Sequence, residues 1–250
     1  MADRIDEYAP IADIYDAWCL EVVEDIPHYV GMAQGAEAPI VELAAGSGRI
    51  AVPLAEAGYD VIAVDPSDAM RTHLRANAER SGVLGRIEIR AGDLLDPGIE
   101  GTYDRLLIPF RSLLHLRDDH ERLAALAAAR ALLAEGGYLA FDVFAPTPED
   151  IDATQGRWHH RDSGARERAD WHRADGTTHI EVEMRGRTTT LVLHPIPADR
   201  WLALVAEAGF EVITAWGDFA GGPVREDGTG DLVVIAQRAG RADARATPTP

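Results

Sequence analysis

The segment from Ile40 to Ala51, IVELAAGSGRIA, constrains this chain more than any other. An apolar run, broken by the acidic Glu42, leads into small residues with Gly46 and Gly48 and then into a helical apolar pattern. Glycine accepts positive φ and lets a ligand approach the backbone, so the stretch reads as strand, tight turn and helix start. About twenty residues later a second apolar run, Val61 to Asp65, ends on an acidic residue, where an α/β sheet holds a nucleotide's ribose hydroxyls. The two segments describe an adenosine-binding crevice.

The remaining pattern alternates strand and helix, as a parallel sheet covered on both faces requires. Strands are predicted over 40–44, 60–65, 87–91, 103–109 and 138–144. A helix is predicted over 118–134, capped by Asp118 or Asp119 and stopped by Gly136 and Gly137. From 154 the period changes to two: HIEVEMR at 179–185 alternates, Asp175 and Gly176 form a hairpin dipeptide, and Gly186 separates a further run at 188–193. This predicts an inserted antiparallel β-lobe. A helix over 198–208, with Trp201, Leu204, Val205 and Ala208 on one face, precedes strands over 210–215 and 231–237. The last stretch, AGRADARATPTP, has almost no apolar content beyond alanine and is predicted to be disordered.

Charge narrows the function classes. The chain has 42 acidic and 24 basic residues, a net charge of -18, which repels nucleic-acid backbones and anionic bilayers. Every basic residue is arginine; without lysine there is no Schiff base and no P-loop lysine. The single cysteine, Cys19, excludes an intrachain disulfide and a cysteine-based zinc site and suits a reducing cytoplasm. No stretch has the length and apolarity of an export signal or membrane span.

Gly46 to Ala51 also satisfies G-x-G-x-x-A, so a nicotinamide-dependent oxidoreductase is one reading. Two further acids favour another. Asp93, in IRAGDLLD, lies just past the third strand at the same rim, where it can accept from an adenine amino group. Glu42 would repel a pyrophosphate but attract an ammonium or sulfonium centre, so the pattern favours a cationic nucleoside.

The segments VELAAGSGR, VIAVDPSDAM, RAGDLLD, DRLLIPF and ALLAEGGYLAFDVF, in this order, resemble the class I S-adenosylmethionine-dependent methyltransferases, over roughly 40–144 and again 195–238. The resemblance is to the small-molecule type, similar to sugar-amine and glycine-type N-methyltransferases. It implies a doubly wound seven-stranded α/β sheet whose last strand is antiparallel, binding S-adenosylmethionine. Glu42 would then lie near the methionine end, Asp65 on the ribose, Met70 against the adenine face and Asp93 at its amino group, with Ala44, Leu94 and Ile108 as further contacts. Ala44 stands where the family commonly has glycine. YAPIADIYD, from Tyr8 to Asp16, resembles the family's amino-terminal segment that folds over the cofactor; Tyr15 is either a lid contact or a core residue. The expected division is an N-terminal helical lid at 1–37, a core at 38–153 and 196–238, a lobe at 154–195 that covers substrate or joins two copies as a homodimer, and a tail at 239–250.

Methyl transfer from a sulfonium is an in-line displacement, so alignment and water exclusion are the main tasks. IPFRSLLHL, from Ile108 to Leu116, follows the fourth strand where the methyl should project, and its S-x-x-H-L resembles the same loop in sugar-amine and glycine-type enzymes. His115 is the candidate base or positioner; its alternative is a histidine satisfied by a backbone carbonyl. Arg111 could clamp a substrate carboxylate or pair with an acidic neighbour. Trp216 and Phe219 either wall the pocket or pack under a loop. The lobe histidines have no metal-ligand spacing, so no metal is expected. The reading is a methyltransferase acting on an amine or hydroxyl of a small molecule, with the oxidoreductase and a non-catalytic cofactor-binding module as rivals.

Overall fold

Alternation along the strands decides which side chains each face of the sheet receives. In β1 (Ile40–Leu43), Val41 and Leu43 enter one apolar layer while Ile40 enters the other, and Glu42 shares the face of Ile40. The computed structural model describes residues 6–240. In chain order it has α1 (Tyr15–Trp18), α2 (Ile26–Met32), β1, α3 (Ala51–Glu56), β2 (Val61–Asp65), α4 (Asp68–Arg80), β3 (Ile87–Ala91), β4 (Tyr103–Ile108), α5 (Asp119–Leu132) and β5 (Leu133–Ala145). There follow α6 (Pro148–Thr154), β6 (His159–His160), β7 (Arg166–His172), β8 (Thr177–Met184), β9 (Arg187–Leu193), α7 (Ala198–Glu207), β10 (Phe210–Trp216) and β11 (Gly230–Arg238).

Seven strands form one sheet in the order β10-β11-β5-β4-β1-β2-β3, and β6 to β9 form a separate antiparallel sheet. The last strand, β11, is antiparallel to both β10 and β5, while the others paired in the core are parallel. The chain runs outward from β1 to β3 and then returns to place β4 on the other side of β1. Loops leaving β1 and β4 therefore diverge at the carboxyl edge, which opens the crevice in which doubly wound sheets bind ligands.

One apolar layer gathers Leu126 of α5, Trp201, Leu204 and Val205 of α7, and Phe141 of β5; the other gathers Tyr29 of α2, Leu54 of α3 and Leu74 of α4. A third cluster joins Ile11, Ile14, Tyr15 and Cys19 to Met70 of α4 and to Ala165 and Met184 of the lobe. The amino-terminal segment is thus packed between core and lobe. It is short pieces rather than one long amphipathic helix, with Pro10 and Pro27 at the starts of a 3-10 turn and of α2.

The boundary between α5 and β5 differs from expectation. Asp118 caps α5 by accepting from the Glu121 N–H, but the helix ends at Leu132 and β5 begins at once. Gly136 and Gly137 sit inside the strand, where the β4–β5 register jumps from Tyr103↔Leu133 to Arg105↔Tyr138. A Cβ on Gly137 would lie 3.0 Å from the Ala134 carbonyl oxygen, so these glycines serve a bulge, not a helix stop. Asp175–Gly176 joins β7 to β8, and Arg185–Gly186, both with positive φ, joins β8 to β9. Residues 1–5 of the expected lid and, of the tail expected at 239–250, residues from 241 onward lie outside the described residues.

Trp201 is fully buried against Phe141, and its Nε1 has no hydrogen-bond partner among the described residues. Trp201→Ala should cost about 3–5 kcal/mol as a cavity, whereas Trp201→Phe should cost less than about 2 kcal/mol because no hydrogen bond is lost. Denaturant titration of the two variants checks the difference.

Candidate functional site

The glycine turn after β1 is fastened to the end of β2. Asp65 is 6% exposed, and its carboxylate accepts from the N–H groups of Gly46 at 2.8 Å and Ser67 at 2.9 Å. Burial pushes its pKa up to about 6, against the pull of those two donors. Ala44 holds φ 59 at the place where glycine is usual, and Gly46 and Gly48 hold φ 56 and 90. The two glycines do different work. A Cβ on Gly46 would face the ring of Tyr15 at 3.9 Å, while one on Gly48 would press on Leu74 at 3.0 Å and Val52 at 3.3 Å. Gly48 therefore lets α3 and α4 pack together, and only Gly46 opens toward the lid.

Glu42 is 1% exposed, and its Oε2 has no hydrogen-bond partner among the described residues. Burial raises its pKa to about 8, opposed by Arg49 and reinforced by Asp65 and Asp25. The negative charge read from the sequence is therefore not a free one: burial pushes this carboxyl toward its protonated form, and a cation beside it would draw it back. Arg49 does not cancel it, because both guanidinium nitrogens are taken by the buried Asp25, at 2.7 and 2.5 Å, and its face lies 4.2 Å over Phe110.

Asp93 lies at the rim after β3 as expected, but its Oδ1 is already used by its own loop, accepting from Leu95 N at 2.8 Å and Asp96 N at 2.7 Å. Met70 is 2% exposed in the cluster it shares with Ile11, Ile14 and Tyr15, so an adenine ring against it must share that cover. Tyr15 packs edge-on to Tyr8 and Trp18. The lid is held by Asp16, which accepts from Ser47 Oγ and, at 2.8 Å, from Asn77 Nδ2; nothing in the residue pattern marks Asn77 beyond its place on α4. Leu94 and Ile108 are buried in the apolar layer of α5 and α7. Ile108 shares the parity of Leu106 and points into the core, so only its backbone reaches the rim.

The turn after β4 is unusual. Phe110 and Arg111 both adopt left-handed φ, 58 and 59, and their N–H groups donate to one carboxylate, Asp142, at 2.7 and 3.0 Å. Tyr29 Oη donates to the same carboxylate at 2.5 Å. Sequence reasoning missed Asp142; the signal was a lone acid within the apolar run LAFDVF. The Arg111 side chain pairs with Asp231 at 2.8 Å and stacks 4.6 Å over Phe144, so the acidic neighbour, not a free clamp, is what the fold provides. Ser112 to His115 form a 3-10 turn. His115 Nε2 is hydrogen-bonded to Tyr8 Oη at 2.9 Å, and Glu7 lies 3.8 Å from Nδ1. Burial drives the Tyr8 hydroxyl pKa far up, so the phenol keeps its proton.

Trp216 and Phe219 pack around His28 of α2, with ring centroids 5.9 and 5.5 Å away, and Phe219 also meets Tyr29. In the lobe, the rings of His172 and His179 approach to 4.2 Å, and among the described residues no three His, Cys, Asp or Glu side chains gather around a common metal position. No helix among the described residues is long and apolar enough to cross a membrane.

The segment 40–137, from β1 through the glycine pair, matches a family described as "Methyltransferase domain". A glycine/sarcosine N-methyltransferase of Halorhodospira halochloris is 28% identical over 184 residues, covering 72% of this chain and 68% of the relative. The chain spans smaller shares, 51% and 36%, of two further curated relatives. Both the segment match and the Halorhodospira halochloris match are to methyltransferases. Its fold agrees with that of a S-adenosylmethionine-dependent methyltransferase from Clostridium acetobutylicum, with a TM-score of 0.76 at 14% identity over 93% of this chain and 99% of that one. It also agrees with that of CalS10, an amino pentose methyltransferase from Micromonospora echinaspora, with a TM-score of 0.64 at 20% identity over 91% and 95%. The methyltransferase matches set aside both the nicotinamide and the non-catalytic readings, and S-adenosylmethionine is the cofactor named for the two solved neighbours. The residues present fit that cofactor: a desolvated carboxylate at the end of β2 has lone pairs for hydroxyl donors, and an orphaned buried carboxylate oxygen on β1 suits an ammonium.

Glu42 yields a pH test. Its folded pKa, about 8, lies above the ordinary carboxyl value, so the stability it contributes is present in acid and declines as the pH rises from about 4.5 to 8. Glu42→Gln removes that titration. The melting temperature of the variant minus that of the parent should climb from pH 5 to pH 8 and then level off, as read by scanning calorimetry without cofactor.

Proposed function

We propose that this methyltransferase transfers its methyl group to the nitrogen of a small amine. The observation that carries the reading is the Tyr8–His115 pair, backed by Glu7, on the turn that leaves β4 beside β1 where the strand order reverses. Bound S-adenosylmethionine supplies a carbon activated by the neighbouring sulfonium. Asp65 would take its ribose hydroxyls, Glu42 its ammonium group, and Met70 and Asp93 its adenine, with Gly46 giving the backbone room.

An amine arrives protonated at neutral pH and has no lone pair until it loses a proton. Tyr8 Oη takes that proton as its own passes to His115 Nε2, and Glu7, 3.8 Å from Nδ1, faces the imidazolium that results. The net charge of -18 favours cationic acceptors, and the pairing of Arg111 with Asp231 leaves little to attract an anionic one. A relative named for glycine and sarcosine and a structural neighbour named for an amino pentose support nitrogen as the acceptor atom. The lobe at 154–195 serves as acceptor cover: Thr189 Oγ1 donates to the Glu7 carbonyl at 2.6 Å, and His194 N donates to the Leu114 carbonyl at 2.7 Å, on both sides of the His115 assembly.

The test offers glycine, sarcosine and a free aminosugar with methyl-labelled cofactor. Methylated amine is expected, and label in none of the amines would defeat the reading. His115→Ala should lower kcat/KM by about 100- to 1000-fold, and Tyr8→Phe by about 10-fold or more, as general-base losses do. S-adenosylhomocysteine affinity, measured by calorimetry, should stay within about twofold, because neither residue belongs to the cofactor set.

A further inference from the structure

We propose that Asp142 is the positioning residue of the acceptor site: its carboxylate holds the turn after β4 in the left-handed form that presents His115, and ties that turn to α2. The inference rests on the amine-methylation reading above. Two consecutive residues with Cβ atoms in the left-handed region are each disfavoured and persist only where the surroundings impose them. Here the imposition is visible. Successive left-handed residues aim their N–H groups into one concavity that suits an anion, and Asp142, itself 5% exposed, fills it.

From that point the geometry propagates in both directions. Arg111 immediately precedes the 3-10 turn of Ser112–His115, and its carbonyl accepts from Leu114 N at 2.9 Å, while Ser112 Oγ donates to the Pro109 carbonyl at 2.6 Å. The direction of the His115 ring therefore follows the backbone at Arg111. On the other side Tyr29 of α2 donates to Asp142. At the start of α2, Asp25 holds Arg49 of the glycine turn, and the Arg49 guanidinium lies flat over the ring of Phe110. One helix thus connects the cofactor turn and the acceptor turn.

Asp142 shares its face of β5 with the buried Ala140. An apolar residue would continue that layer without desolvating a carboxylate, so stability alone does not explain an acid here. What an apolar residue could not do is accept from both N–H groups at once.

The experiment compares Asp142→Asn and Tyr29→Phe with the parent, all loaded with S-adenosylhomocysteine for spectroscopy and with S-adenosylmethionine for turnover. The carboxamide of Asp142→Asn presents an NH2 group to one of the two donors. In that variant the amide signals of Phe110 and Arg111 should shift and lose hydrogen-exchange protection, while amides of β1, β2 and α4 keep theirs. With the best amine of the panel, kcat should fall by about 10- to 100-fold, the scale of a misplacement near 1 Å, with S-adenosylhomocysteine affinity within about twofold of the parent. Tyr29→Phe keeps both N–H contacts and should give a smaller fall in kcat of the same kind; it decides the matter if Asp142→Asn does not fold. Turnover within twofold of the parent in folded Asp142→Asn, unchanged Phe110 and Arg111 amides, or loss of protection throughout the sheet would overturn the proposal. A parent that methylates no amine defeats the functional reading instead, and the amide measurement then still decides whether Asp142 sets the turn.

Discussion

Carboxylates taken out of water along one edge of a sheet are the constraint on which the rest of the molecule depends. Asp65, Glu42 and Asp142 stand on β2, β1 and β5, each nearly inaccessible, and burial raises the pKa of all three. Asp65 and Asp142 are compensated by backbone N–H donors supplied by turns, so holding the acid and shaping the turn are the same interaction. Among the described residues Glu42 retains an oxygen without a partner, and a cation is the natural complement to it.

The amino-terminal segment closes this edge. Its short pieces place Tyr15 beside Gly46, Tyr8 on His115, Asp25 on Arg49 and Tyr29 on Asp142, so a stretch of little regular structure touches every part of the site. The lobe packs on its outer side, with Trp18 Nε1 donating to Glu167 at 2.8 Å and Arg187 pairing with Asp13 at 3.2 Å. The Arg187–Asp13 pair is between half-exposed groups and contributes little by itself. The buried cluster of Ile11, Ile14, Tyr15, Met70 and Met184 supplies the larger share of the cohesion.

Several expectations about single residues changed once neighbours were known. Gly48 packs α3 against α4 and Ile108 enters the core, while for Arg111 the acidic neighbour, one of its two expected roles, is present as Asp231; strand parity and cross-chain neighbours settle such roles and neither is a local property. Gly136 and Gly137 read as a helix stop because glycine marks bulges and helix ends alike; the register jump against β4 tells them apart. Asp142 escaped notice because an acid in an apolar run carries no local signature of the N–H groups that meet it.

By itself the sequence determined the alternation of strand and helix, the glycine turn, the acid ending β2 and the change of period that makes the lobe, since all follow from residue spacing within short windows, and its ordered segments carried a family resemblance. Tertiary structure alone decided which acids are desolvated, which arginines are already paired and which side chains meet His115. Those outcomes depend on contacts such as Tyr8 with His115 and Tyr29 with Asp142, each joining residues more than 100 positions apart. A charge or proton position is set by what surrounds a group in space, and chain order does not carry that information.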